Sequence, residues 1–173
     1  MNKKQKSSSN LNINKNESLK YPSLVLTSRQ LCDLELLMNG GFNPLEGFMG
    51  KEDYFSVLNH MRLSNGSLWP IPIVLDVNKK IVKSLKLGDK LTLKNREGYP
   101  LAILSISDIW EPDYTEEAKL VYGTTDQAHP GVSYIANQNE IYCLGGKIEN
   151  IALPYHYDFQ KYRHTPKGLK KIF

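Results

Sequence analysis

A β-hairpin signal in the middle of the chain constrains the fold more than any other feature of the sequence. Residues 89–94 alternate, with Leu91 and Leu93 on one face, and residues 99–109 form a second apolar strand pattern. Residues 95–98 between them read Asn-Arg-Glu-Gly, a composition typical of tight turns. Two strand patterns separated in this way predict antiparallel neighbours. The fold must therefore contain a sheet.

Helical patterns flank this hairpin. Thr27 or Ser28 is a suitable N-cap for a helix that ends at Gly40 and Gly41, and a second helix is predicted over 51–61. The further predicted elements are a strand over 71–77, a short helix from Thr115 to Tyr122, a loop containing Gly123, Pro130 and Gly131, two strands over 141–144 and 148–153 around a tight turn at Gly145 and Gly146, and a last helix opened by Thr165 and Pro166. Strands and helices therefore both contribute to the predicted fold.

The formal net charge of +4 lies in the first 20 of the 173 residues. These residues hold five lysines and one glutamate, whereas residues 21–173 are neutral. Because residues 1–20 are rich in Asn, Ser and Lys and poor in apolar side chains, we predict a disordered tail there. Because residues 21–173 carry no net charge, we do not expect a nucleic-acid-binding face on them. Nucleic acid would then make only nonspecific contacts with the basic tail.

The sequence predicts a cytoplasmic protein without a membrane partner. No apolar run approaches the roughly 20 residues that span a bilayer, and the tail lacks the apolar core of a secretory signal. Cys32 and Cys143 are too few for a disulfide framework in a domain of this size. Cys32 lies in the first predicted helix, where we expect a buried structural thiol.

Asp126 and His129 are three residues apart, and this spacing allows two interpretations. A carboxylate so close to an imidazole could orient it for acid–base chemistry. Alternatively, Asp126 bonds to local amides in a structured turn, and His129 precedes Pro130. We favour the turn.

A second polar cluster lies near the end of the chain, at His156, Asp158, Arg163 and His164. It suggests either a metal or anion site or a polar linker in which Asp158 pairs with Arg163. We favour the linker, because a metal site normally needs three or four ligands at helix or hairpin spacing. No phosphate-binding or nucleophile-elbow motif occurs either. The residues therefore assign no catalytic, cofactor-binding or metal-binding side chain.

Several long phrases carry a family resemblance. They are Leu26–Leu36, Gly41–Met49, Tyr54–Leu63, Gly66–Ile73, Gly88–Asp89, Pro100–Leu104, Tyr122–Asp126, His129–Val132, Leu144–Gly146 and Asp158–Phe159. In these phrases the chain resembles the N-terminal region of ATP sulfurylase (sulfate adenylyltransferase) over about residues 22–173. The resemblance implies an α+β fold, a PUA-like domain over 21–157 that forms a small mixed β-barrel with flanking helices, and the predicted strands and helices are compatible with it. It also implies that residues 158–173 begin a linker to a catalytic domain that this chain lacks.

The family joins sulfate to the AMP part of ATP, giving adenosine 5′-phosphosulfate and pyrophosphate. That chemistry needs cationic and amide donors on the phosphates and Mg²⁺ on the triphosphate. In the family they belong to the next domain, in Gln-x-Arg-Asn, His-x-x-His and Gly-Arg-Asp motifs that this sequence does not contain. The resemblance therefore implies that ATP and Mg²⁺ are bound by the complete enzyme, and that this chain is inert alone.

The resemblance also implies a partner, either a sulfurylase catalytic domain or a second copy of the chain. The candidate interface or structural-motif residues are Phe42, Pro44, Leu45, Phe48, Met49, Asp126, His129, Phe159 and Arg163. Two alternatives stay open. PUA folds often bind RNA, so the chain would be an RNA-binding module. Otherwise it is a regulatory or assembly subunit of an intact sulfurylase, docked through residues 42–49, Phe159 and the last helix.

Overall fold

The computed structural model describes residues 16–137 and 141–173. The strands are β1 (Ser23–Val25), β2 (Gly47–Phe48), β3 (Leu75–Asn78), β4 (Lys90–Lys94), β5 (Pro100–Trp110) and β6 (Ile141–Asn150). The helices are α1 (Ser28–Asn39), α2 (Lys51–His60), α3 (Lys79–Val82), α4 (Tyr114–Tyr122), α5 (Pro130–Ala136) and α6 (Pro166–Ile172), with a 3-10 turn at Gln160–Tyr162. The predicted α+β class is confirmed.

The six strands of the described residues form one mixed sheet in the order β1-β4-β5-β6-β2, and β3 also pairs with β6. β1 runs parallel to β4, with Leu24 opposite Leu93. β4 runs antiparallel to β5, with Leu91 opposite Leu104, so the predicted hairpin is confirmed. β3 runs antiparallel to β6.

The chain divides into two compact units. The described part of the first unit comprises residues 16–47, 89–105 and 147–173. The second comprises residues 48–88 and 106–146, apart from residues 138–140, which lie outside the description. β5 and β6 each contribute residues to both units.

In the first unit, α1 begins and ends where the sequence predicts. Thr27 Oγ1 accepts a hydrogen bond from the Gln30 amide at 3.3 Å, and Gln30 Oε1 accepts from the Thr27 amide at 3.0 Å. This reciprocal capping box satisfies two amides of the first turn that have no partner within the helix. Gly40 ends the helix at φ 81°, a conformation that favours glycine. Leu34 and Leu37 on the inner face are buried.

The second unit contains an aromatic core around Tyr54, which is fully buried. Its hydroxyl donates a hydrogen bond to Glu117 Oε2 at 2.7 Å, and its ring lies 6.0 Å from that of Trp110. Burial, together with the negative charge of Glu117, raises the pKa of the Tyr54 hydroxyl far above its usual value. A smaller apolar cluster joins α4 to α5 through Ala118, Val132 and Ile135.

The turn predicted at Gly145 and Gly146 is wrong, because both residues lie inside the continuous strand β6. A Cβ atom added at Gly145 would lie 2.7 Å from the Met49 carbonyl oxygen and 2.7 Å from Gly50 Cα. The glycine therefore permits a close approach of two backbones, which is a known use of glycine within strands. The predicted pair of strands is one strand.

The loop predicted around Pro130 contains a helix, α5. His129 caps it by accepting from the Gly131 amide through Nδ1, and Pro130 occupies the first turn, where its missing amide costs nothing. Val132 and Ile135 are buried, so packing holds this short helix in place. A smaller correction concerns the strand predicted over 71–77, which begins only at Leu75.

Ordered structure begins before residue 21, where the predicted tail ends. Residues 16–18 form a helical turn, and Ser18 is buried. The Ser18 carbonyl accepts a hydrogen bond from Thr92 Oγ1 at 2.6 Å, which ties this turn to β4. The prediction for residues 1–15 lies outside the described residues.

Cys32 is exposed, so the prediction of a buried thiol there is wrong; the stripe of α1 that turns inward contains Leu34 and Leu37 instead. Within residues 16–137 and 141–173, none of the helices combines the length and apolar character that crossing a membrane requires.

Candidate docking surface

The apolar loop predicted as an interface contributes mostly to the core. Leu45 is buried in the first unit, and Phe48 and Met49 are buried in the second. Phe42 is half-buried and Pro44 is exposed. The Met49 amide donates to the Ile73 carbonyl at 3.0 Å, which holds the end of this loop in place. An interface role for the loop stays a prediction, and only its exposed part is available for one.

Asp126 and His129 are both exposed, and each accepts a hydrogen bond from a nearby backbone amide, as expected for a structured turn. Asp126 Oδ1 accepts from the Ala128 amide at 2.9 Å. His129 Nδ1 accepts from the Gly131 amide at 3.2 Å, and its ring packs on Tyr122 at a centroid distance of 4.9 Å. Each side chain therefore shapes the local backbone at the start of α5.

The C-terminal polar cluster is held by one ion pair and one histidine–carboxylate contact. Arg163 lies 2.8 Å from Asp158 Oδ1 and also donates to the Asp158 carbonyl, as the linker interpretation predicts. The Arg163 guanidinium lowers the pKa of the Asp158 carboxyl. His156 Nε2 lies 2.8 Å and 2.9 Å from the two carboxylate oxygens of Glu35 on α1. Sequence reasoning missed this second pair, since 121 residues separate its members.

Metal ligation has no support in the described part of the chain. Within it, no group of three or more His, Cys, Asp and Glu side chains is placed to hold a metal ion.

Exposed rings follow one another along the C-terminal segment, and we call them the C-terminal aromatic surface. Its members and their exposed fractions are Tyr155 at 67%, Tyr157 at 89%, Phe159 at 73%, Tyr162 at 71% and Phe173 at 98%. Three contacts hold the segment that carries them: the Arg163–Asp158 ion pair, the His156–Glu35 contact, and a hydrogen bond from Gln160 Nε2 to the Tyr155 hydroxyl at 2.9 Å. Large exposed apolar side chains concentrated in one segment make this segment the candidate docking surface of the chain.

A groove of about 600 Å³ adjoins this surface in the first unit. Two segments line it, residues 95–101 around the β4–β5 turn and residues 151–157 after β6. The segments are joined by the Ile151 and Ala152 amides, which donate to the Leu101 carbonyl at 2.8 Å and 3.0 Å. Because Tyr99, Tyr155 and Tyr157 contribute its aromatic walls, we call it the tyrosine groove.

The chain belongs to the family of PUA-like domains, whose family model matches residues 2–153. It is 49% identical over 160 residues to the sulfate adenylyltransferase of Aspergillus fumigatus, a match that covers 91% of this chain and 28% of that protein. The Schizosaccharomyces pombe sulfate adenylyltransferase is 43% identical over 159 residues, covering 91% of this chain and 32% of that protein. This chain is thus homologous to the N-terminal PUA-like domain of sulfate adenylyltransferase, and the resemblance drawn from its phrases is confirmed.

A solved structure contains a region of similar fold. The structure titled hexameric APS kinase from Thiobacillus denitrificans superposes with a TM-score of 0.74 at 34% identity, covering 95% of this chain and 28% of that one. The chain therefore spans about a third or less of the length of these relatives.

Proposed function

We propose that this chain is the accessory PUA-like domain of a sulfate adenylyltransferase, which packs against the catalytic region and does not itself bind ATP, Mg²⁺ or sulfate. The complete enzyme would join sulfate to the AMP part of ATP and release pyrophosphate. The observation that carries this proposal is the C-terminal aromatic surface, which begins two residues after the family match ends at residue 153. The expected compartment is the cytoplasm.

The exposed rings of the C-terminal aromatic surface would gain free energy if a protein partner covered them. A buried aromatic side chain removes about 150–250 Å² from water, which at about 25 cal/mol per Å² corresponds to several kcal/mol before association costs. The His156–Glu35 contact and the Arg163–Asp158 ion pair hold the segment that carries these rings. Less conformational entropy is then lost when a partner covers them.

The experiment is a domain exchange in a complete enzyme. The matching part of the S. pombe sulfate adenylyltransferase is replaced by this chain, and sulfate-dependent exchange between ATP and pyrophosphate is measured. We expect activity from the exchanged enzyme and none from the isolated chain. Activity of a contaminant-free preparation of the isolated chain, or a folded exchanged enzyme without activity, would contradict the proposal.

A matched pair of variants then tests the surface itself. Phe159→Asn with Tyr162→Ser removes two rings, and Asn suits the left-handed backbone of Phe159 at φ 48°. We expect the thermal midpoint of the exchanged enzyme to fall. The control is Leu87→Ser, an apolar side chain that is 65% exposed in the second unit and lies outside the surface. An equal effect of both changes would count against a contact at the C-terminal aromatic surface.

A second candidate is an RNA-binding module. Residues 155–173 hold five lysines and arginines against one acid, interleaved with the exposed rings. Basic side chains beside stacking platforms are typical of single-stranded nucleic-acid binding. RNA affinity that falls steeply with salt and survives deletion of residues 1–15 would favour this candidate. Binding of the isolated chain to an intact sulfurylase would instead indicate a regulatory or assembly subunit.

A further inference from the structure

The tyrosine groove has a lining that suits a cation. It contains three tyrosines and the carboxylate of Glu97, and among the described residues that line it there is no lysine, arginine or histidine. The remaining walls include Leu101, Ile151 and Leu153. Tyrosine rings attract cations over their faces, and more strongly once water is excluded. The groove therefore differs in character from the basic segment that follows it.

Two rings of the groove pack on each other, and a hydrogen bond holds one of them. Tyr155 and Tyr157 meet edge to face, with centroids 4.6 Å apart and an interplanar angle of 73°. Gln160 Nε2 donates to the Tyr155 hydroxyl, which fixes that ring. In the β4–β5 turn, the Tyr99 amide donates to Asn95 Oδ1 at 2.8 Å, and the same turn carries Glu97. A ligand thus meets preformed aromatic walls and one negative charge.

We propose that the tyrosine groove receives a lysine or arginine side chain of the sulfurylase catalytic region. The cationic head lies against the tyrosine faces and pairs with Glu97, and the aliphatic stem of the side chain packs on Leu101 and Leu153. The identity of the partner rests on the proposed function, whereas the preference for a cation rests on the groove alone. A wholly apolar occupant would bury the Glu97 carboxylate without a partner, which is costly.

The first test uses the isolated chain and two blocked tripeptides, acetyl-Gly-Arg-Gly-amide and the same peptide with neutral citrulline in place of arginine. Ring signals of Tyr99, Tyr155 and Tyr157 are followed by NMR. We expect saturable shifts with the arginine peptide, and weaker binding of the citrulline peptide by roughly 2- to 30-fold. Glu97→Gln should weaken arginine binding, and Glu52→Gln, an exposed carboxylate of the second unit, should not. Equal binding of both peptides, or no binding of either, would overturn the proposal.

The second test uses the exchanged S. pombe enzyme. Tyr157→Leu keeps apolar area but removes the aromatic face, whereas Tyr157→Phe keeps that face. We expect Tyr157→Leu and Glu97→Gln each to lower the thermal midpoint of the exchanged enzyme. Tyr157→Phe should leave that midpoint unchanged. If the Tyr157→Leu enzyme had the same thermal midpoint as the Tyr157→Phe enzyme, the occupant of the groove would be apolar, which would contradict the proposal.

Failure of this proposal is distinguishable from failure of the proposed function. An active exchanged enzyme that is indifferent to Tyr157→Leu and Glu97→Gln leaves the accessory role standing and overturns the cation site. A folded but inactive exchanged enzyme overturns the accessory role, and the peptide titration of the isolated chain still decides whether the groove prefers a cation.

Discussion

Removing the Tyr54 hydroxyl should destabilise the chain measurably. Tyr54 is fully buried, and its hydroxyl lies 2.7 Å from the carboxylate of Glu117, which is 8% exposed. Tyr54→Phe preserves the ring and its packing against Trp110, so the loss comes from the hydrogen bond alone. A hydrogen bond to a charged group contributes about 1.5–3 kcal/mol. Glu117 has a further interaction, so we expect the lower part of that range, about 1.5–2 kcal/mol.

The measurement is urea unfolding followed by tryptophan fluorescence, because Trp110 lies beside Tyr54 and reports on this core. A loss of that size lowers the thermal midpoint by about 3–8 °C in a protein of this length. Tyr157→Phe is the matched control, since its side chain is 89% exposed and its change should stay within about 0.5 kcal/mol. A Tyr54→Phe effect no larger than that of the control would refute a stabilising bond between Tyr54 and Glu117.

Three other predictions follow from single contacts. Thr27→Ala removes half of the capping box and should lower the free energy of unfolding by about 1 kcal/mol, which urea titration measures. Gly145→Ala places a methyl group against the Met49 carbonyl and should cost about 1–3 kcal/mol in the same assay, and an unchanged midpoint would contradict the close approach. Arg163→Gln should raise the pKa of Asp158 toward 3.8 in an NMR titration. Because that pKa is depressed in the folded chain, any stability from this pair is present above about pH 4 and is lost as the pH falls.

The elements that the sequence predicted well are those with strong local signals. Thr27 and Gly40 mark both ends of α1, and Thr165 with Pro166 marks the start of α6. The β4–β5 hairpin follows from an alternating pattern on either side of a turn. In each case the deciding contacts join residues a few positions apart, so the sequence order alone reveals them.

The errors have the opposite origin. Gly145 resembles a turn glycine, yet its role depends on a backbone almost 100 residues earlier in the chain. α5 is a short helix held by burial of Val132 and Ile135, and the glycine and proline at its start concealed it. The pair His156–Glu35 and the tyrosine groove join segments that are remote in sequence. No local pattern identifies such contacts, although the alternation of Tyr155 and Tyr157 was a signal for exposed rings.

The most direct test of an accessory domain that packs against a catalytic region is hydroxyl-radical footprinting of the C-terminal rings. The experiment compares the oxidation of four rings, Tyr155, Tyr157, Phe159 and Tyr162, between the isolated chain and the exchanged S. pombe enzyme. The exposed Tyr99 is followed in both proteins, and the buried Tyr54 serves as an internal reference. We predict rapid oxidation of these rings in the isolated chain and strong protection in the complete enzyme. Equal oxidation in both proteins would contradict a docking role for the C-terminal aromatic surface.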